Sequence, residues 1–128
     1  MPIDHVKLPV ASLDASRVFY RAALAPFGYR LVYDGERSLG FGVGDGGDDD
    51  EPFALEQAGP PAAPSHVAFT ASSTEQVDAF HAAALAAGGT DNGAPGPRPY
   101  GGDYYAAFVL DPDGHNVEAM YHGPSSRR

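Results

Sequence analysis

The sequence contains no cysteine and no tryptophan. Without a thiol the chain forms no disulfide and offers no thiolate zinc site, iron–sulfur cluster or cysteine nucleophile, so any metal must be held by His, Asp, Glu or water. Cationic residues are also scarce: 8 Lys and Arg stand against 17 Asp and Glu, for a formal charge of -9. Such a field repels phosphate backbones and anionic membrane surfaces, which argues against a nucleic-acid partner. Long apolar runs are missing, since no segment approaches the roughly 18 apolar residues of a membrane span. The start, Met1-Pro2-Ile3-Asp4-His5, has neither the basic region nor the apolar run of a signal peptide. These absences lead to the expectation of a soluble cytoplasmic protein. What is present suffices for one packed domain: 128 residues, 43% apolar and 11% aromatic.

Two helices are expected. Ser12 can cap the first, whose positions Leu13, Ser16, Phe19, Tyr20, Ala23, Leu24 and Phe27 recur at three and four before Pro26 and Gly28 stop it. Ser73 and Gln76 form a capping box for the second, with Val77, Phe80, Ala84 and Leu85 along one face and Gly88-Gly89 as its end. Just before each helix an alternating stretch reads as a half-buried strand, at Ile3 to Leu8 and at Ser65 to Thr70. Strands are also expected at Tyr29 to Tyr33, Leu39 to Val43, Phe53 to Gln57, near Thr90, at Tyr104 to Leu110 and at Asn116 to Tyr121, with Asp111-Pro112-Asp113-Gly114 as a turn before the last. The order strand, helix, strand, strand, strand therefore occurs twice. The expected organisation is one domain over 1–122, with a first module at about 1–58, a proline-rich linker at 59–64, a second module at about 65–122 and a tail at 123–128. The acidic glycine run Asp45 to Glu51 lacks the spacing of an EF-hand and is expected to be a solvated hairpin loop.

Marker residues repeat with the modules. Each half opens with a strand histidine, His5 or His66, and closes with a strand glutamate, Glu56 or Glu118, at nearly the same interval. Alternation sets His5 opposite Val6 and Leu8, His66 opposite Val67 and Phe69, and Glu118 opposite Val117 and Ala119, so the markers can share the sheet face that the helices leave uncovered. Two imidazoles and one or two carboxylates suit a divalent ion such as Zn, Ni, Mn or Fe(II) with positions open for water or substrate. Either histidine taken alone reads more readily as a surface or satisfied polar residue than as a ligand, and a register slip of one would turn Glu56 outward.

Several segments resemble a known family. His5-Val6-Lys7-Leu8-Pro9-Val10, Phe19-Tyr20-Arg21-Ala22-Ala23-Leu24 with Phe27-Gly28-Tyr29, Ser65-His66-Val67-Ala68-Phe69, and Phe108 through Glu118 with its Asp-Pro-Asp-Gly turn are similar to the glyoxalase/bleomycin resistance protein/extradiol dioxygenase, or vicinal oxygen chelate, superfamily. The resemblance implies an α+β fold of two βαβββ modules whose mixed sheet forms a cupped cavity. It implies a divalent ion held by His5, His66, Glu118 and, as in the glyoxalase I branch, Glu56, with the two glutamates as candidates for the catalytic proton transfer. It also implies paired modules and, with the open cup, a homodimer.

Other residues lie nearby in sequence. Arg98, Tyr100, Tyr104 and Tyr105, from the Gly/Pro-rich stretch Gly93 to Asp103 and the following strand, can form a substrate pocket for an anionic or carbonyl group; alternatively one tyrosine is core and Arg98 a loop cation. His115 is expected to be structural or to support a ligand from behind, His81 to be a packing or helix-edge residue and His122 a rim residue. The function expected is a metal-dependent lyase or isomerase of the lactoylglutathione lyase kind, acting on a small oxygen-chelating substrate. The alternatives are a bleomycin-resistance-like binding protein and an extradiol-type dioxygenase.

Overall fold

The computed structural model describes residues 2–43 and 51–123. The loop expected at Asp45 to Glu51 falls outside these apart from Glu51, as does the tail beyond Gly123.

Helix α1 spans Leu13–Leu24 and α2 spans Thr74–Ala86. The Ser12 hydroxyl accepts the Ala15 N–H at 3.2 Å, and the Ser73 hydroxyl accepts the Gln76 N–H at 3.1 Å, satisfying amide donors that a first helical turn leaves open. Gln76 returns its side-chain oxygen to the Ser72 N–H. After α1 a short 3-10 turn, Ala25–Phe27, ends at Gly28, whose φ of 81° suits a residue without a Cβ. Val77, Phe80 and Ala84 are buried on α2, whereas Leu85, one position on, is rotated off that stripe and exposed.

The strands are β1 (Val6–Val10), β2 (Arg30–Asp34), β3 (Ser38–Gly42), β4 (Phe53–Gln57), β5 (His66–Thr70), β6 (Thr90–Pro97), β7 (Tyr104–Leu110) and β8 (Asn116–His122). They form two four-stranded mixed sheets, ordered β1-β4-β3-β2 and β5-β8-β7-β6. In each sheet the first strand runs parallel to the last and the other pairs are antiparallel. The expectation at the first strand needs correcting, since β1 starts at Val6 and leaves Ile3, Asp4 and His5 ahead of it. Pairing opens with the Val6 N–H on the Pro52 carbonyl, and Pro52, lacking an N–H, gives an earlier residue no donor to pair with. The Gly/Pro-rich stretch is likewise strand rather than loop as far as Pro97, with register shifts at two places, and an edge position tolerates both its prolines and its bulges.

One buried cluster joins the modules. Leu8, Val10, Phe41, Phe53 and Leu55 from the first sheet, Phe19, Tyr20 and Leu24 from α1, Phe80 from α2, and Val109 and Val117 from the second sheet all belong to it. Because α1 packs on the first sheet, α2 on the second, and the helices on each other, the layers run sheet, helix, helix, sheet. The outer faces of the two sheets therefore turn away from each other.

The Asp-Pro-Asp-Gly turn fastens the modules together. Asp111 is buried; one of its carboxylate oxygens accepts the N–H groups of Asp113 and His115, both at 2.9 Å, and the other accepts the Tyr20 hydroxyl at 2.6 Å. Asp113 accepts the Ala11 N–H at 3.0 Å. His115, fully buried, accepts the Ser65 N–H on Nδ1 at 2.9 Å and so donates from Nε2 to the Pro9 carbonyl at 2.8 Å. His115 thus has the structural role expected of it.

Candidate metal and substrate site

The outer face of the second sheet carries the chemistry. Val117 and Ala119 on β8 point into the core, so Glu118 between them points outward. Register places Glu118 beside Ala68 of β5 and Phe108 of β7, and His122 beside Tyr104. His66, two residues before Ala68, shares that face. Its Nε2 donates to Glu118 Oε1 at 2.8 Å, and the Tyr104 hydroxyl donates to Glu118 Oε2.

Exposure divides this group. The Glu118 side chain is 4% exposed and that of His66 is 52% exposed. The buried carboxylate has a donor on each oxygen, as a desolvated charge requires. Partial burial first, then the hydrogen bond to Glu118 and the charge of that carboxylate, raise the pKa of the Tyr104 phenol above its ordinary value, so it remains a donor at neutral pH. The Tyr104 ring meets Tyr100 and His122 edge-on, at centroid distances of 5.0 and 5.1 Å.

Phe108 was not among the candidate site residues read from the sequence. Its ring lies 6.2 Å from that of His66, and the Arg98 guanidinium sits over the Phe108 ring at 5.4 Å from its centre. Strand alternation from Tyr104 through Ala106 to Phe108 carries this information, because the three must share a face. Arg98 donates to the carbonyls of Ala94 at 2.7 Å, Gly96 at 2.9 Å and Pro97 at 3.3 Å, on and beside the irregular part of the β6 ladder. Its terminal nitrogens hold β6 in shape, and the guanidinium plane forms a wall of the site.

The remaining candidates lie elsewhere. Tyr105 turns to the helix side, where its hydroxyl donates to Asp78 on α2 at 2.7 Å; it is not brought to the group around Glu118. His5, just ahead of β1, is exposed and paired through Nδ1 with Asp4 at 2.8 Å. Glu56 is exposed on the outer face of the first sheet, in register with Pro9 and Ser38. His81 pairs with Asp91 at 3.0 Å at the edge of α2. Among the described residues no three His, Asp or Glu side chains gather into a group able to hold an ion. The structure therefore brings together His66, Glu118 and Tyr104, and leaves Glu56 on the other sheet and His5 just ahead of that sheet's first strand.

A cavity of about 410 Å³ opens away from this group, at the seam where the start of β1 approaches β5, over an aromatic floor of Phe27, Tyr29, Phe53 and Phe69. Among the described residues no helix is long and apolar enough to cross a membrane.

Comparison with known proteins agrees with this architecture. The family model of the Glyoxalase/Bleomycin resistance protein/Dioxygenase superfamily matches residues 2–119. Among solved structures, a glyoxalase/bleomycin resistance protein from Albidiferax ferrireducens T118 is 32% identical, with 94% of this chain and 98% of that one covered and a TM-score of 0.78. A glyoxalase-related enzyme from Fulvimarina pelagi shares the fold at 20% identity, 95% and 92% coverage and a TM-score of 0.70. The fosfomycin resistance protein FosX from Mesorhizobium loti shares it at 22% identity, 94% and 92% coverage and a TM-score of 0.65. The comparison with curated proteins finds no match. With its repeated strand–helix–strand–strand–strand order and a family match over nearly its whole length, the chain belongs to the Glyoxalase/Bleomycin resistance protein/Dioxygenase superfamily.

Proposed function

We propose that this protein is a cytoplasmic, divalent-metal-dependent enzyme of lyase or isomerase type, similar to lactoylglutathione lyases, acting on a small substrate bound through two neighbouring oxygens. One observation carries the proposal: His66 Nε2 and Glu118 Oε1 lie 2.8 Å apart on a rigid sheet. Two ligands each 2.0–2.2 Å from one ion at a right angle are about 3 Å apart, so this pair fits neighbouring positions of a Zn, Ni, Mn or Fe ion taking the place of the Nε2 proton. The bound ion would act as a Lewis acid toward the substrate oxygens.

Two ligands from one chain are too few, and the layer order supports a site shared by two copies. In a homodimer, His5 and Glu56 from the first sheet of one copy would face His66 and Glu118 from the second sheet of the other. The apolar seam cavity, which leaves aromatic surface open in a lone chain, supports such an assembly. Within that site the glutamates differ. Glu118 is held on both oxygens, whereas Glu56 is exposed and accepts no hydrogen bond from a described residue, which suits it to carry a proton between adjacent substrate carbons. Phe108 and the exposed Tyr100 supply apolar walls for the substrate.

The test is metal analysis of protein purified without chelator, together with isomerase assays on hemithioacetals. About one ion per chain, lost in His66→Ala, supports the proposal, and unchanged metal content in that variant overturns it. Loss of ion in Glu118→Gln but not Glu56→Gln would instead favour the two-His, one-carboxylate set of an extradiol-type dioxygenase. A wild-type chain without metal would favour a bleomycin-resistance-like binding protein, a reading that the aromatic walls of the site also suit.

A further inference from the structure

Tyr105, which turns away from the group around Glu118, lines a second cavity. This space of about 330 Å³ lies where β7 begins and β8 ends, and Tyr104, Tyr105, Tyr121, Asp103 and Thr74, the first residue of α2, are among its lining residues. Tyr105 and Tyr121 stand directly opposite each other in the β7–β8 ladder, so their side chains are neighbours on one face. Both are only partly buried against the core. The volume falls at the lower end of the range for small-ligand sites, about 300–1,000 Å³.

The charge around these rings has one sign. Among the described residues no Lys, Arg or His lines the cavity, whereas Asp103 does. On α2 the Asp78 carboxylate accepts the Tyr105 hydroxyl at 2.7 Å, and Glu75 follows Thr74 in the first turn, where it offsets the positive helix end that would otherwise favour an anion. The bond to Asp78 first, then desolvation and the charges of Asp78 and Glu75, raise the pKa of the Tyr105 phenol above its ordinary value, against an opposing effect of Arg98. Arg98 is itself held over Phe108, with its terminal nitrogens on three carbonyls. Aromatic faces attract positive charge, most strongly when the cation is weakly hydrated. The carboxylates repel an anion and add nothing for a neutral molecule.

We propose that this cavity is a separate small-molecule site for an organic cation of the alkylammonium class, which rests against the rings of Tyr105 and Tyr121 with its charge toward the carboxylates of α2. The inference is independent of any ion at His66 and Glu118. It gives Tyr105 a ligand-binding role in a place other than the one its sequence position suggests.

The experiment titrates choline into the full-length protein and follows the NMR shifts of the tyrosine ring protons. Two compounds of similar shape are compared with it, the uncharged 3,3-dimethylbutan-1-ol and the anion 3,3-dimethylbutanoate. Choline should bind about 5- to 30-fold more tightly than the alcohol, the scale of cation–π contacts, and the anion more weakly than either. Tyr105→Leu removes one ring and should weaken choline about 5-fold or more, whereas Tyr33→Leu on β2 of the other sheet should match wild type. Asp78→Asn, an exposed change that leaves the rings in place, should weaken choline by about 2- to 3-fold and leave the alcohol unchanged. Thermal unfolding checks that each variant is folded, and the comparison of the three compounds on wild-type protein needs no variant. Equal affinity for choline and the alcohol overturns the inference, as does unchanged choline binding in folded Tyr105→Leu. Wild-type protein that binds no choline up to roughly 100 mM overturns it as well.

Discussion

Tyr20 of the first helix donates its hydroxyl to Asp111 in the turn before the last strand, 2.6 Å away, with neither side chain open to solvent. The bond crosses from the first module to the second. Tyr20→Phe should cost about 2 kcal/mol, the usual scale for a hydrogen bond to a charged group, as measured by urea unfolding. It should also alter the alkaline limb. Burial first, then the charge of Asp111, hold the Tyr20 pKa well above its ordinary value. Above about pH 10 an unfolded tyrosine loses its proton while the folded one keeps it, so the folded state binds more protons and stability falls as pH rises. The phenylalanine variant should show a shallower decline there.

His115 bridges Ser65 and Pro9 with both ring nitrogens and has no access to solvent. His115→Ala should cost roughly 2–4 kcal/mol, because it leaves a buried N–H and carbonyl unpaired around a cavity. The folded fraction should still take up metal with wild-type stoichiometry, which separates this histidine from His66. Denaturant unfolding together with metal analysis of the folded protein checks both statements.

Ser16 on α1 is fully buried, and its hydroxyl has no hydrogen-bond partner among the described residues. Ser16→Ala removes that orphaned group and improves helix propensity, so it should stabilise the protein by about 1 kcal/mol. An unchanged or lower unfolding midpoint would show that the hydroxyl is satisfied in solution.

A site shared between copies makes a complementation test possible. Mixing a His5→Ala/Glu56→Gln chain with a His66→Ala/Glu118→Gln chain, under conditions that exchange subunits, should restore metal binding that neither has alone. The hybrid would carry one site with all four ligands and one with none. Failure to restore binding in a verified hybrid dimer would place the four ligands within one chain instead.

Helix ends, the two-module order and the pairing of His66 with Glu118 were legible in the sequence because each follows from local rules: a capping serine, a repeated element order, and alternation along a strand. The start of the first strand was not, because it depends on Pro52 across the sheet, whose missing N–H ends the ladder at Val6. Tyr105 was misplaced for a related reason. It and Tyr104 are neighbours, alternation sends them to opposite faces, and only the location of the core decides which hydroxyl meets Glu118 and which meets Asp78. The separation of His5 and Glu56 from His66 and Glu118 reflects how the modules stack on their helices, which no single-strand pattern encodes.

The strapped and bulged β6 has a consequence for misassembly. Pro95, Pro97, two register shifts and carbonyls already taken by Arg98 make this border of the second sheet a poor template for a foreign strand. The opposite border, β5, runs His66-Val67-Ala68-Phe69-Thr70 without proline or register shift. Aggregation of a partly unfolded chain should therefore begin there. A charge placed on that strand should keep the protein in solution at concentrations where the parent chain precipitates.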